Sequence, residues 1–254
     1  PFDYRGVALA GRALVIMTAG PAEQGEAQLL RGQGGRWTTP FRLDEAGGFF
    51  DTIAFRNARE GFVLGDPIDG RWFLIRTTDG GRTWTRLAGP EVKPGEGAFA
   101  AGNSALFLGP GRELWIVSGG LATTRVFHSS DDGATWTASE TPIPGGTTGG
   151  LFGGFALGPD RAVVVGGDYK DELKAAPNIA LTTDGGRTWT LPPHDGTPRL
   201  IEGVARRDSR TLIAIGPRGT SVSRDEGASW RQVDEEAFHA IACARSECVA
   251  AGGK

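Results

Sequence analysis

One eight-residue pattern recurs along the chain at wide intervals and limits the possible folds more than any other feature. TTDGGRTW (residues 77–84), SSDDGATW (129–136), TTDGGRTW (182–189) and SRDEGASW (223–230) share Ser/Thr, Asp, Gly, Ser/Thr and Trp at fixed offsets. A fifth, decayed copy, LRGQGGRW (30–37), keeps the Gly and Trp spacing but has Gly32 in place of the Asp. The five tryptophans, Trp37, Trp84, Trp136, Trp189 and Trp230, are 47, 52, 53 and 41 residues apart. Repeats of roughly 40–50 residues built from short strands indicate the blades of a β-propeller.

Each copy reads as a turn. An apolar strand precedes it, as in RWFLIR before Thr77 or TRVFH before Ser129, and a Trp-containing strand follows. The chain must reverse between them. Asp side chains accept backbone N–H bonds in turns, and Gly supplies positive φ. Ser and Thr add local hydrogen bonds, and Trp buries a large ring against the hairpin. Four sets are therefore structural: Asp79, Gly81 and Trp84; Asp131, Gly133 and Trp136; Asp184, Gly186 and Trp189; and Asp225, Gly227 and Trp230. An enzyme rarely needs four copies of one catalytic carboxylate.

Upstream of each turn lie two more strands, such as FFDTIAF and GFVLG joined by RNARE. The expected units are residues 2–46, 47–94, 95–147, 148–197 and 198–235, with 236–254 as half a unit, all within one propeller domain spanning 1–254. Their first strands carry the apolar residues Val7, Ile53, Phe99, Phe155, Val204 and Ile241. A ring with a C-terminal half-blade needs outer strands from elsewhere. The expectation is further residues upstream of Pro1 and a complete ring of six or seven blades. The fold class is all-β, with four-stranded blades. The 41 Gly and 15 Pro suit many tight turns.

The net charge of −3 provides no basic field for nucleic acid, and no apolar run is long enough to span a membrane as a helix. The only cysteines, Cys243 and Cys248, are placed so that a hairpin could set them opposite one another. A disulfide there would imply an oxidising compartment; the alternative is two buried thiols. No nucleotide-type Gly-rich unit, haem-attachment motif or metal cluster is present, and His128, His194 and His239 are far apart in sequence, so no cofactor and no metal are expected.

The Ser/Thr-x-Asp-x-Gly-x-Ser/Thr-Trp pattern resembles the Asp-box, also called the bacterial neuraminidase (BNR) repeat. The stretches GFFDTIAF, LGDPIDGRWFLIRTTDGGRTW, PGEGAFAAG and VVGGDYK look like bacterial Asp-box proteins related to the photosystem II stability/assembly factor. That resemblance implies an exported propeller, periplasmic or lumenal, that binds and stabilises or helps assemble a protein complex. A membrane-bound photosynthetic reaction-centre complex is the partner class it suggests. Asp-boxes also occur in sialidases, so a glycoside hydrolase is the enzymatic alternative. A sialidase resemblance would require an arginine triad, a Tyr–Glu nucleophile pair and an Arg-Ile-Pro-like segment. That tripeptide is absent, and only Tyr4 and Tyr169 could be the nucleophile.

Propellers bind at the mouth of the central channel, lined by first strands. Stepping back two residues from the apolar positions stays on one strand face and gives Arg5, Asp51, Gly97, Gly153, Glu202 and His239. Stepping back three gives Tyr4, Phe50, Glu96, Phe152, Ile201 and Phe238, with the aromatics expected to pack between blades. The first column could ring an opening with Arg, carboxylates and His, and a small-molecule receptor there is a third alternative. The loop GGDYKDELKAAPN (166–178), carrying Asp168, Tyr169 and Lys170, and the shorter GDPIDGR (65–71), carrying Asp66, are candidate partner contacts.

Overall fold

The computed structural model describes residues 2–174, 176–195 and 199–252. Ala175 of the expected 166–178 loop, residues 196–198 at the junction of the fourth and fifth units, and residues 1, 253 and 254 lie outside the described residues.

Short apolar runs bounded by Gly-rich turns form strands that pair as successive antiparallel meanders. The first sheet is β1 (Asp3–Ala10), β2 (Ala13–Ala19), β3 (Gln28–Gln33) and β4 (Arg36–Arg42), in that order. The second is β5 (Phe50–Phe55), β6 (Gly61–Ile68), β7 (Arg71–Thr77) and β8 (Thr85–Glu91). The third is β9 (Leu106–Leu108), β10 (Leu114–Val117), β11 (Thr123–Ser129) and β12 (Thr137–Pro144). The fourth holds β13 (Gly149–Ala156), β14 (Ala162–Asp168) and β15 (Ile179–Thr182). β16 (His194–Asp195) belongs to the fifth, with β17 (Gly203–Arg206), β18 (Leu212–Gly216), β19 (Gly219–Ser223) and β20 (Trp230–Asp234). β21 (Ala240–Ala244) and β22 (Glu247–Ala251) form a final hairpin.

The first strands β1, β5, β9, β13, β17 and β21 stand side by side in sequence order, as the inner strands of propeller blades do. The core lies between neighbouring sheets. Met17, Ile53 and Phe73 fill the first interface, Trp72, Leu74, Trp115 and Phe127 the next, and Val163, Val204 and Trp230 that between the fourth and fifth sheets. Trp72 meets Phe127 edge to face across sheets at 6.0 Å. On the first sheet, Val7, Leu9 and Trp37 point away from the second sheet and are more than half exposed.

Each good Asp-box copy is the turn that follows the third strand. Thr77 Oγ1 donates to Asp79 Oδ1 (2.9 Å) and accepts the Gly81 amide (2.9 Å). Asp79 in turn accepts the Arg82 and Thr83 amides (2.9 and 3.0 Å) and the Thr83 hydroxyl (2.7 Å). Asp131, Asp184 and Asp225 hold equivalent networks. Trp136 and Trp230 donate their indole N–H to Gly133 O and Gly227 O, both at 3.0 Å; Trp189 instead reaches Ser139 Oγ of the adjacent sheet at 3.0 Å. The decayed copy is a tight β3–β4 hairpin with Gly34 and Gly35 both at positive φ.

Three expectations need correction. The third sheet's inner strand is not EGAFAAG but the later β9, because after the Gly97–Gly119 bridge residues 98–104 leave the sheet. The segment 65–71 is mostly strand: β6 runs to Ile68 and reverses through Asp69–Gly70, both at positive φ, the geometry of a two-residue type I′ hairpin. The fourth unit has no full fourth strand among the described residues. Only the Leu181–Thr190 bridge continues it before Pro192 and Pro193, and the chain then pairs with β20 as β16. Proline has no N–H to extend a ladder, which explains the divergence.

Gly186 has a role wider than that of a turn residue. It does the local work expected of it, with φ at 78° and its amide donating to Thr182 Oγ1 at 3.0 Å. It also packs against the third sheet: a Cβ on Gly186 would stand 2.8 Å from the Trp115 ring. Trp115 is fully buried there, so Gly186 is held to glycine by the interface between sheets as well as by its own backbone.

Candidate functional face

Meander connectivity sorts the connections between two ends of the propeller. Asp-box turns lie at one end. The starts of the inner strands and the connections between second and third strands lie at the other, where the candidate residues gather.

Residues 95–105 dominate this second end. They run from the end of β8 toward the propeller axis and form a 3-10 turn, Ala101–Asn103, that touches β1, β5, β13, β17 and β21. Asn103 uses its amide like a strand residue: Oδ1 accepts the Ile53 amide (2.9 Å) and Nδ2 donates to Ile53 O (3.2 Å). Ser104 Oγ donates to Glu202 O at 3.3 Å. The segment is a plug, and the expected open channel mouth is filled by the chain itself. Gly97 therefore lines no channel; it bridges to Gly119 beside the plug. Glycines make room. A Cβ on Gly153 would stand 1.9 Å from Ser104 Oγ, and one on Gly102, itself at φ 79°, would stand 2.3 Å from Glu202 O. Phe99 leaves the expected strand and stacks on Phe152 at 4.3 Å, with Tyr169 edge-on at 5.8 Å.

The inner-strand column is partly assembled. Arg5, Asp51, Glu202 and His239 each precede the first residue of the regular inner ladder; in the third and fourth sheets that place belongs to Ala105 and Phe152 instead of Gly97 and Gly153. Arg5 is exposed and pairs with Asp3 at 2.8 Å. Asp51 is buried, and its Oδ2 has no partner. Burial pushes the Asp51 carboxyl well above the usual carboxylate range, and the charge of Asp66 adds to the push. Burial also raises Asp66, against a hydrogen bond from the Ala98 amide. Glu202 is raised by burial, partly offset by His239 Nδ1 at 2.5 Å, while Glu172 adds repulsion.

Glu96 is no free channel group. Burial works to raise it, but bonds from Arg125, from Ser118 Oγ (2.7 Å) and from the Lys93 amide (2.9 Å) hold it below its ordinary value. Arg125 clamps both its oxygens. Asp168 is lowered chiefly by the Thr148 hydroxyl at 2.7 Å, with the Lys170 amide at 3.0 Å. Glu172 accepts from Arg218 (2.7 Å), and its carbonyl accepts the Leu200 amide (2.9 Å), so the 166–178 connection is fastened to the fifth sheet. Tyr169 remains 42% exposed, with Lys170 over its ring at 5.6 Å. Among the described residues neither Tyr4 nor Tyr169 is hydrogen-bonded through its hydroxyl to a carboxylate, and no group of three or more His, Cys, Asp or Glu side chains is placed to hold a metal. No helix among the described residues is long and apolar enough to cross a membrane.

Between the second and third sheets, a groove of about 570 Å³ opens on this face, lined by Asp66, Pro67, Lys93, Gly97, Phe99 and Gly120 among others. A cavity of about 590 Å³ lies at the outer rim beside His194, Asp225 and Trp230. Nothing in the sequence pattern singles out His194 for it; its Nε2 lies 3.2 Å from Ser221 Oγ and its Nδ1 is buried without a partner. Sequence reasoning missed the plug. The available signal was glycine at inner positions Gly6, Gly150 and Gly153, where strands ordinarily carry side chains. Cys243 and Cys248 face each other across β21–β22 and are bonded.

No protein-family model matches the sequence, and no curated protein matches it. Solved structures do. A GH74 xyloglucanase from Xanthomonas campestris superposes with a TM-score of 0.64 at 16% identity, over 93% of this chain and 39% of that one, so the chain spans 39% of the enzyme's length. A protein of unknown function from Dyadobacter fermentans gives 0.59 at 16% identity, over 91% and 82%. YCF48 from Cyanidioschyzon merolae gives 0.50 at 14% identity, over 99% and 94%. At such identities the likeness is one of fold: the chain is a β-propeller, similar in architecture to both a glycoside hydrolase and YCF48.

Proposed function

We propose that the protein is an exported, non-catalytic propeller that binds and stabilises a protein complex through the face carrying the plug, the Asp66 groove and the 166–178 connection. The observation that carries this reading is the plug. With the axis filled by Ala101–Asn103, the face offers loops and a groove in place of a deep substrate channel. Glycoside hydrolysis uses two carboxyl groups flanking the bond. Of the carboxylates lining this groove, Glu96 is engaged by Arg125 and Asp66 alone is open to a ligand. The exposed Tyr169 and Lys170 on a pinned connection suit a protein contact. The Cys243–Cys248 bond supports an oxidising compartment. The sequence resemblance favours a photosynthetic reaction-centre assembly as the complex.

Affinity-tagged protein recovered from gently solubilised membranes should bring down one defined complex, and Tyr169→Ala with Lys170→Glu should release it. A chain that stays monomeric in native extracts, or a complex indifferent to both substitutions, would sink the proposal. Turnover of a sialoside or xyloglucan fragment would favour the hydrolase instead.

A further inference from the structure

The groove between the second and third sheets holds an imbalance of charge that the fold does not resolve. Lys93 at its rim is exposed and already faces Glu140 at 3.3 Å. Glu96 is neutralised by Arg125. Asp66 lines the groove and has no ion-pair partner among the described residues. Asp51 sits on the neighbouring strand: it follows Phe50, which pairs with Gly65, and the Asp66 amide donates to Phe49 O at 3.0 Å. Asp51 is 1% exposed, and its Oδ2 makes no hydrogen bond. A buried polar atom left unpaired is costly, and an acidic pair without a cation is costlier. Gly70, Gly95, Gly97 and Gly120 contribute backbone alone to the walls, beside the side chains of Pro67, Lys93 and Phe99.

We propose that this groove takes the guanidinium group of an arginine side chain presented by the partner protein, with Asp66 as its carboxylate partner and the buried Asp51 carboxyl on the neighbouring strand. A guanidinium is planar and offers five N–H donors, two of which meet a carboxylate side by side; an ammonium offers three on a compact head. The inference rests on reading this face as the docking face and adds the chemistry that the docking recognises.

The test is amide NMR of the whole chain titrated with N-acetyl-arginine N-methylamide, its lysine counterpart, and the neutral isostere built on citrulline. The arginine probe should give saturable shifts at Asp66, Gly97 and Ala98. Citrulline should bind about tenfold more weakly, the loss of one charge-assisted hydrogen bond. Lysine should fall between them. Asp66→Asn, whose own spectrum reports whether it is folded, should lose the arginine response by a similar factor. Equal shifts from arginine and citrulline, retention of the response in Asp66→Asn, or no saturable response at all would each overturn the inference. Membrane-complex recovery with the Tyr169 and Lys170 variants is a separate measurement, so a docking face that holds while the arginine probe fails removes this inference alone.

Discussion

Asp79, Asp131 and Asp184 sit at one end of the propeller; Asp51 and Asp66 sit at the other, and the same side chain is driven in opposite directions. At the Asp-box end, the Thr135 hydroxyl and amide draw Asp131 down to about 2, the Thr188 hydroxyl and amide do the same for Asp184, and in Asp79 the bonds from Thr83, Thr77 and Arg82 outweigh burial to reach about 2. At the plug end, burial pushes Asp51 and Asp66 up, with few bonds to oppose it. Hydrogen bonds to the charged form and removal of water act with opposite sign, and which one prevails follows from whether the carboxylate caps a local turn or backs a packed interior. One end is built from interactions within five residues and repeats. The other is built from contacts between distant segments and does not repeat.

The largest expected effect tests the plug. Gly102→Val forces a β-branched side chain onto a residue at φ 79° and against Glu202 O, and should cost about 3 kcal/mol or more, lowering Tm by roughly 10 °C in calorimetry. An unchanged Tm would mean that the axis is not filled as described, and the contrast between the two ends would collapse. Next comes Asp79→Ala, which removes the acceptor for two amides and two hydroxyls and should lower Tm by a few degrees at pH 7. Because the folded carboxyl lies below its unfolded value of 3.8, that contribution is present above pH 4 and lost as pH falls toward 2, so wild type and variant should converge in acid.

The smallest effect has the opposite sign. Asp51 is raised in the folded state, so it costs stability as pH rises above its unfolded value of 3.8, and acidification relieves that cost. Asp51→Asn should gain about 1 kcal/mol at pH 7 in urea unfolding and lose the advantage near pH 4. A variant less stable than wild type at pH 7 would show that Asp51 is paired in the folded protein and that the two ends do not differ as argued.

The repeated end was legible because its information is local. The spacing of Thr77, Asp79, Gly81 and Thr83 already specifies the donors and acceptors that meet in one turn. Even there a part was hidden: the contact of Gly186 with Trp115 joins residues of different sheets, and no turn pattern encodes it. The plug end was less legible. EGAFAAG and ALFLG are both short apolar runs beside glycine, and only the partners of Asn103 and Ser104, on the second and fifth sheets, decide that the first run fills the axis and the second becomes β9. Arg5, Asp51, Glu202 and His239 share one register position where the inner strands keep step, whereas Gly97 and Gly153 do not occupy it. In the fourth unit, Pro192 and Pro193 signalled the end of regular pairing, but nothing local indicates that the chain then joins β20.

A ring of repeats ordinarily stabilises itself through nearest neighbours alone, so that one unit can open while those two away remain intact. The plug breaks that rule. Through Asn103 it is bonded to the second sheet, and through Ser104 to the fifth, whose core residues fall in separate clusters among the described residues. Loss of any inner strand thereby loosens contacts on the far side of the axis. The described chain should melt in one cooperative step, with amide exchange at Ile53 and Glu202 slowing and quickening together.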